Sequence, residues 1–254
     1  MQLSLNQRVA LVTGANGGLG AHFATTLARA GASVVLGARR PESVRALCDE
    51  INAAEGRAYA VELDVTDPLS VRRAFDDAQA QASGPIDLLV NNAGIAVTKP
   101  LLDQSPEDWE RVLSVNLTGA WHVAQEAARR MVQAGNGGAI VNVASILGLR
   151  VAAQLPGYVA SKAALIQLTK AMALELARHR IRVNALAPGY IKTGINDAFF
   201  ESDAGLALLK RIPQRRLGNL ADLDGPLLLL ASEAGAYITG AVLAVDGGHL
   251  VSTL

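Results

Sequence analysis

Tyr158 and Lys162 stand four residues apart in a stretch of helical spacing that opens at Pro156-Gly157 and runs to about Arg178. Residues i and i+4 project from one helix face, so a phenol and an ammonium can approach one spot. A free phenol ionises near pH ~10 and is a poor base at neutrality. An ammonium at ~4 Å is worth on the order of 4 kcal/mol at an effective dielectric near 20, enough to lower the phenol by about two to three pKa units. A phenol tuned toward neutrality is a general acid/base. The same spacing also occurs on ordinary helix surfaces, so the pair alone leaves both readings open.

The second candidate is the run Thr13-Gly14-Ala15-Asn16-Gly17-Gly18-Leu19-Gly20, which follows an apolar stretch and opens a helical one. Glycines let a backbone turn tightly and approach a phosphate with no Cβ in the way. The helix N-terminus behind them offers free N–H groups and partial positive charge. The spacing Gly-x-x-x-Gly-x-Gly departs from the Gly-x-Gly-x-x-Gly dinucleotide fingerprint. Four glycines within positions 14 to 20 are more than a turn needs. A phosphate cradle is therefore expected, with a plain strand-to-helix turn as the alternative.

Positioning these groups falls to a regular alternation of elements. Short apolar runs occur at 9–12, 33–36, 58–61, 88–90, 139–143, 181–186 and 241–245. Most do not alternate apolar with polar, so they read as strands buried on both faces. Helical stretches lie between them, at 19–30 and 43–54, after Asp67-Pro68, after Ser105-Pro106, and after Pro156. Asp67 and Ser105 suit N-caps, each with proline at the first helical position. This β-α rhythm predicts an α/β fold, a Rossmann-like doubly wound parallel sheet with helices on both faces. No linker divides the chain, so residues 1–254 read as one domain. The stretch from about 193 to 216 breaks the rhythm and reads as an irregular lid over a site.

Composition excludes other classes. Half of the 254 residues are hydrophobic, 18% are charged, and the 23 basic and 23 acidic side chains balance to a formal net charge of zero. No nucleic-acid partner and no membrane partner is expected. Cys48 is the only cysteine, and the start MQLSLNQRVALVTG has no leader-like pattern, which points to a cytoplasmic protein. His22, His122, His179 and His249 show no ligand spacing, so no metal site is expected.

Taken in order, the motifs resemble those of the short-chain dehydrogenase/reductase family. They are Thr13-Gly14-x-x-x-Gly18-x-Gly20, Asn91-Asn92-Ala93-Gly94, Asn116, Ser145 with Tyr158-x-x-x-Lys162, Pro188-Gly189-x-x-x-Thr193, and Asp246-Gly247-Gly248. The match runs from about residue 8 to 249. The resemblance implies that Tyr158 is the proton donor and acceptor for hydride exchange between a nicotinamide and a carbonyl or alcohol carbon. It implies that Ser145 holds the substrate oxygen, that Lys162 also bonds the nicotinamide ribose, and that Asn116 anchors a water for proton exchange. It assigns Gly14, Asn16, Gly18, Leu19, Gly20, Asn92, Ala93, Gly94, Pro188, Gly189, Ile191 and Thr193 to the cofactor, with Asp64-Val65 at the adenine. Asp64 reads equally as a turn residue.

Cofactor choice rests on the second strand end, Val34-Val35-Leu36-Gly37-Ala38-Arg39-Arg40. The resemblance places a carboxylate for the ribose hydroxyls of NAD where Ala38 stands. Arg39 follows, and guanidinium pairs with phosphate in a forked, charge-assisted geometry. NADP(H) is expected, held by Arg39 with Arg40 assisting. NAD(H) remains admitted, because Asn16-Gly17 lacks the family's other basic position.

The expected pocket wall is Ile146, Leu147, Gln154, Leu155, Tyr190, Phe199 and Phe200, with Leu206, Leu208 and Leu209. It is mostly apolar, so the expected substrate is a small apolar ketone, β-keto ester or secondary alcohol. A 3-oxoacyl thioester is the family alternative, and the uncharged loop 132–138 speaks against it. A homotetramer is expected through helices at about 106–131 and 158–178 and the segment 220–250. Two other classes stand beside this one. An epimerase or dehydratase relative would carry a larger C-terminal region, and a non-catalytic cofactor-sensing protein would lack the Ser, Tyr or Lys.

Overall fold

The computed structural model describes residues 3–82, 84–193 and 202–252. Every apolar run forms a strand: β1 (Val9–Thr13), β2 (Ser33–Ala38), β3 (Arg57–Glu62), β4 (Leu88–Asn91), β5 (Gly138–Val143), β6 (Ile181–Pro188) and β7 (Val242–Val245). They make one seven-stranded sheet in the order β3-β2-β1-β4-β5-β6-β7. Every neighbouring pair is parallel.

The helices are α1 (Gly18–Arg29), α2 (Glu42–Ala53), α3 (Pro68–Ala82), α4 (Pro106–Leu113), α5 (Ala120–Ala134), α6 (Pro156–Leu176), α7 (Asp203–Leu209) and α8 (Asp224–Ala231). The anticipated caps are present. Asp67 Oδ1 accepts from Leu69 N at 2.9 Å, and Ser105 forms a reciprocal capping box with Asp108.

Burial on both faces follows from the period-two geometry of a strand. Ala10 and Val12 pack against Phe23 and Leu27 of α1 and Leu227 and Leu230 of α8. Val9 and Leu11 pack on the other face with Phe75 of α3 and Val123 and Met131 of α5. Each such large side chain contributes about 1.5–3 kcal/mol by leaving water, so the sheet is a fixed platform. Chain order reverses between β1 and β4, and the carboxyl ends of the strands flanking such a reversal form the ligand crevice of an open α/β sheet.

Two elements differ from the sequence expectation. The helix expected to run on from Ser105 is interrupted by a π-helical turn at Ser114–Gly119, which carries Asn116. The segment expected to be irregular, 193–216, contains α7. Phe199 and Phe200 lie outside the described residues.

Candidate active site

The first glycine bend is locked to the end of β4. Thr13 Oγ1 accepts from Asn92 N and Ala93 N, both at 2.9 Å. Asn92 Nδ2 returns bonds to Thr13 O at 2.9 Å and Gly14 O at 3.2 Å. The locked bend leaves no space at two glycines: a Cβ on Gly14 would lie 2.9 Å from Ala93 Cα, and one on Gly20 would lie 2.3 Å from Gly14 O. A Cβ on Gly17 or Gly18 would meet nothing within 4 Å. Asn16 is exposed beside them, and Leu19 packs inward on the core. Helix α1 has no side-chain cap and no acidic residue in its first turn. Its leading N–H groups are therefore left to an external acceptor, as a pyrophosphate site requires.

Across the crevice, Ser145 follows β5 and caps a 3-10 turn (Ile146–Gly148), its Oγ accepting from Leu147 N at 3.1 Å. That turn sits tightly on α6, since a Cβ on Gly148 would lie 2.8 Å from the main chain of Lys162. The packing brings Ser145 to the first turn of α6, near enough to the Tyr158 hydroxyl to oppose the rise of its pKa. Lys162 is buried one turn further on. Its Nζ donates to Val143 O at 2.7 Å and lies 5.6 Å from the centroid of the Tyr158 ring.

The electrostatics differ from the sequence argument. Burial raises the Tyr158 phenol above its ordinary value; the nearby Ser145 side chain opposes this, and neighbouring Tyr190 adds to it. Burial depresses Lys162 to about 8. The expected downward shift of Tyr158 by Lys162 is thus corrected: the ammonium is turned onto a main-chain carbonyl, and desolvation dominates both groups.

Asn116 is fully buried in the π-helical turn. Its Oδ1 accepts from Ile95 N at 2.8 Å, and its Nδ2 donates to Ile95 O at 2.9 Å and Ser161 Oγ at 3.0 Å. The side chain therefore latches the chain after β4 to α6. Between them, a Cβ on Gly94 would stand 3.4 Å from both Asn116 Oδ1 and Lys162 Nζ. Such π insertions are frequent at functional sites.

At the other end of the crevice, Arg39 and Arg40 are exposed after β2. Asp64 follows β3, and its Oδ1 accepts from Thr66 N at 2.9 Å and Thr66 Oγ1 at 2.7 Å. These bonds, together with the charge of Arg39, lower its pKa. Asp64 is thus an Asx turn residue close to Arg39, and Val65 behind it is buried. At the end of β6, Pro188 is buried, and Gly189 beyond it lies so close to Asp246 that a Cβ would come within 2.7 Å of its Cα. Ile191 forms a bridge with Gly218 and is buried. Thr193 is half-buried.

The expected pocket wall is only partly in place. Ile146 is 2% exposed and Leu147 9%, both buried in the 3-10 turn that follows Ser145. Gln154 is exposed in a left-handed conformation with φ 66°, its carbonyl accepting from Lys99 N at 3.0 Å. Leu155 and Tyr190 are half-buried, and Tyr190 lies near enough to Tyr158 to raise its pKa.

Sequence reasoning missed a buried polar chain that ties β4, β5 and α6. Asn91 Nδ2 donates to Asn142 Oδ1 at 3.2 Å, and Asn142 Nδ2 donates to Thr169 Oγ1 at 2.9 Å. Its signal was the asparagine interrupting the otherwise apolar run 139–143. Sequence reasoning also missed Arg150, Arg211 and His249, which gather around Tyr190. No sequence spacing links these three.

Comparison with known proteins agrees with this geometry. Residues 8–204 match the short chain dehydrogenase family. The chain is 43% identical over 247 residues to the cis-4-hydroxycyclohexanecarboxylate dehydrogenase of Sinomonas cyclohexanicum, covering 96% of each protein. It is 38% identical over 249 residues to the 3-oxoacyl-(acyl-carrier-protein) reductase FabG of Aquifex aeolicus, covering 98% of this chain and 99% of that one. Its backbone matches the crystal structure of a gluconate 5-dehydrogenase from Burkholderia cenocepacia J2315 in complex with NADP and tartrate. The TM-score is 0.94 at 38% identity, over 99% of this chain and 98% of that one.

Proposed function

The chain belongs to the short-chain dehydrogenase/reductase family, and from that premise we propose that it is an NADP(H)-dependent oxidoreductase acting on CH–OH groups, interconverting a small-molecule carbonyl and a secondary alcohol with Tyr158 as proton donor and acceptor. The observation that carries this reading is the gathering of Ser145, Tyr158 and Lys162 at one place, with Ser145 near enough to lower the Tyr158 pKa and Lys162 buried one helical turn away, 5.6 Å from the ring centroid.

The cofactor supplies or accepts the hydride. Gly14, Gly18, Gly20, Asn16 and Leu19, with the uncapped start of α1, take its pyrophosphate. Arg39, assisted by Arg40, takes the 2′-phosphate. Asp64, Val65, Asn92, Ala93 and Gly94 border the adenosine and nicotinamide ribose, and Pro188, Gly189, Ile191 and Thr193 border the carboxamide. Open space at Gly17 and Gly18 and two exposed guanidiniums support this assignment. NAD(H) is the weaker cofactor, lacking the phosphate that Arg39 would hold.

Ser145 orients the substrate oxygen toward the Tyr158 hydroxyl and donates to the charge that develops on it. Tyr158 gives that oxygen its proton during reduction and takes it back during oxidation. Its raised pKa keeps the phenol protonated at neutral pH, which suits reduction. Lys162 keeps a charge behind the ring, and Asn116 holds the Gly94–Ile95 turn against it.

The single sheet supports one domain. Trp109 and Trp121, each 41% exposed, and Leu174, 83% exposed, offer apolar helix faces for the homotetramer. Among the described residues no helix is long and apolar enough to cross a membrane. That observation, with the lone buried Cys48, supports a cytoplasmic placement.

The test is NADPH oxidation against a panel of ketones, keto acids and 3-oxoacyl thioesters. Reduction of at least one class is expected. Tight NADPH binding with no carbonyl reduced would favour the cofactor-sensing alternative instead.

A further inference from the structure

Around Tyr190, which lies near enough to Tyr158 to raise its pKa, the structure gathers three groups from distant parts of the chain. Tyr190 follows β6, and its ring centroid lies 5.6 Å from that of His249. His249 is 6% exposed, and its Nδ1 is buried with no hydrogen-bond partner among the described residues. Arg150, just beyond the Ser145 turn, donates from Nη1 to His249 O at 2.5 Å and to Ser252 Oγ at 3.1 Å. Arg211 comes from the segment after α7, whose Gln214 N donates to Gly247 O at 3.1 Å. Pro213 packs on Gly248 there, lying 3.2 Å from where a Cβ would stand.

Around His249 the two guanidiniums of Arg150 and Arg211 outnumber one carboxylate, Asp246, which raises the His249 pKa. Arg150 and Arg211 both lower the pKa of Tyr190, and both lower that of His249, whose main depressing cause is burial. Neither guanidinium has a carboxylate partner among the described residues, whereas Arg216 nearby is paired with Asp222 at 2.6 Å. The local acid, Asp246, is already used: its two oxygens accept from Gly248 N at 2.9 Å and Leu250 N at 2.7 Å. Buried polar atoms in folded proteins are normally satisfied, and an orphan one calls for a missing partner. Two guanidiniums without a carboxylate partner among the described residues, beside a buried imidazole with an unused nitrogen, are chemically complementary to a carboxylate.

We propose that Arg150 and Arg211, with Tyr190 and His249, form an anion-recognising end of the substrate pocket, so that the substrate is a ketone or secondary alcohol that also carries a carboxylate. The proposal rests on Tyr158 marking the reacting carbon. It replaces the apolar substrate expected from the sequence with an acid whose charge is held away from that carbon. A carboxylate there gains charge-assisted bonds that a neutral ester of the same shape does not.

The probes are 4-oxopentanoate and 4-oxocyclohexanecarboxylate, each compared with its methyl ester. Binding is read by quenching of bound NADPH fluorescence in the NADPH-loaded Tyr158→Phe protein, and kcat/KM is read in the wild type. The acids should bind at least about tenfold more tightly than the esters, a difference of the size of one charge-assisted bond. Arg211→Gln should bring that ratio toward one. Arg150→Lys, which keeps the charge and the tie to His249, should retain more of the preference than Arg150→Gln. Equal binding of acid and ester, binding of neither, or a ratio unmoved by Arg211→Gln and Arg150→Gln would each overturn the proposal. If acids bind preferentially but no carbonyl is reduced, the anion site stands and the oxidoreductase reading fails.

Discussion

Lys162 sits one helical turn from Tyr158, yet its ammonium bonds Val143 O at 2.7 Å and lies 5.6 Å from the phenol ring centroid. In the cofactor-free protein the group that loses its proton first on raising the pH is therefore the lysine, at about 8, and not the tyrosine, which burial raises above its ordinary value. Tyrosinate absorbance, taken as wild type minus Tyr158→Phe, should show an ionisation above pH ~10. An ionisation well below that value would mean that the ammonium controls the phenol before any ligand binds.

The depressed lysine also makes stability depend on pH. Its folded value of about 8 lies below its ordinary 10.5. Below pH 8 both states hold the proton, and the cost of burying the charge is fully present. Between 8 and 10.5 the unfolded chain binds more protons than the folded one, so stability rises with pH. Against Lys162→Met, wild-type unfolding free energy should gain on the order of 3 kcal/mol over that interval. Urea unfolding of both proteins at several pH values checks this, and parallel curves would contradict it.

Arg39 is exposed and close enough to Asp64 to lower its pKa. Arg39→Ala should weaken NADPH by about tenfold to a hundredfold, the worth of a charge-assisted bond, while leaving NADH nearly unchanged. Fluorescence titration with both cofactors reads the difference. Equal losses would remove Arg39 as the phosphate ligand.

Two glycines of one bend should respond in opposite ways. Gly20→Ala places a Cβ 2.3 Å from Gly14 O, whereas Gly17→Ala meets nothing within 4 Å. Gly20→Ala should cost about 1–3 kcal/mol of stability through overpacking. Gly17→Ala should leave the melting temperature in place and weaken only the cofactor. Thermal denaturation without cofactor separates them, and a Gly17→Ala protein as unstable as Gly20→Ala would contradict the cradle.

The strands were legible because most are short, largely aliphatic runs, with β1, β2 and β4 buried throughout, and the glycine bend because its spacing is local. What escaped was set by tertiary contacts. The π-helical turn at Asn116 depends on the chain after β4 and on Ser161 of α6, which no local pattern in the helix announces. The direction of the Tyr158 shift depends on desolvation and on Val143 O, where an i,i+4 argument sees only the lysine. Arg150 and His249 meet only because the C-terminal segment folds back onto the turn after Ser145.

The central claim is that the Tyr158 hydroxyl moves the proton that accompanies hydride transfer. The direct measurement is turnover and NADPH affinity of Tyr158→Phe beside the wild type on the same carbonyl substrate. Turnover should fall by about a hundredfold to ten-thousandfold, the range for a general acid/base, while NADPH affinity stays within a small factor. A variant that lacks the hydroxyl and still turns over at the wild-type rate would contradict the account.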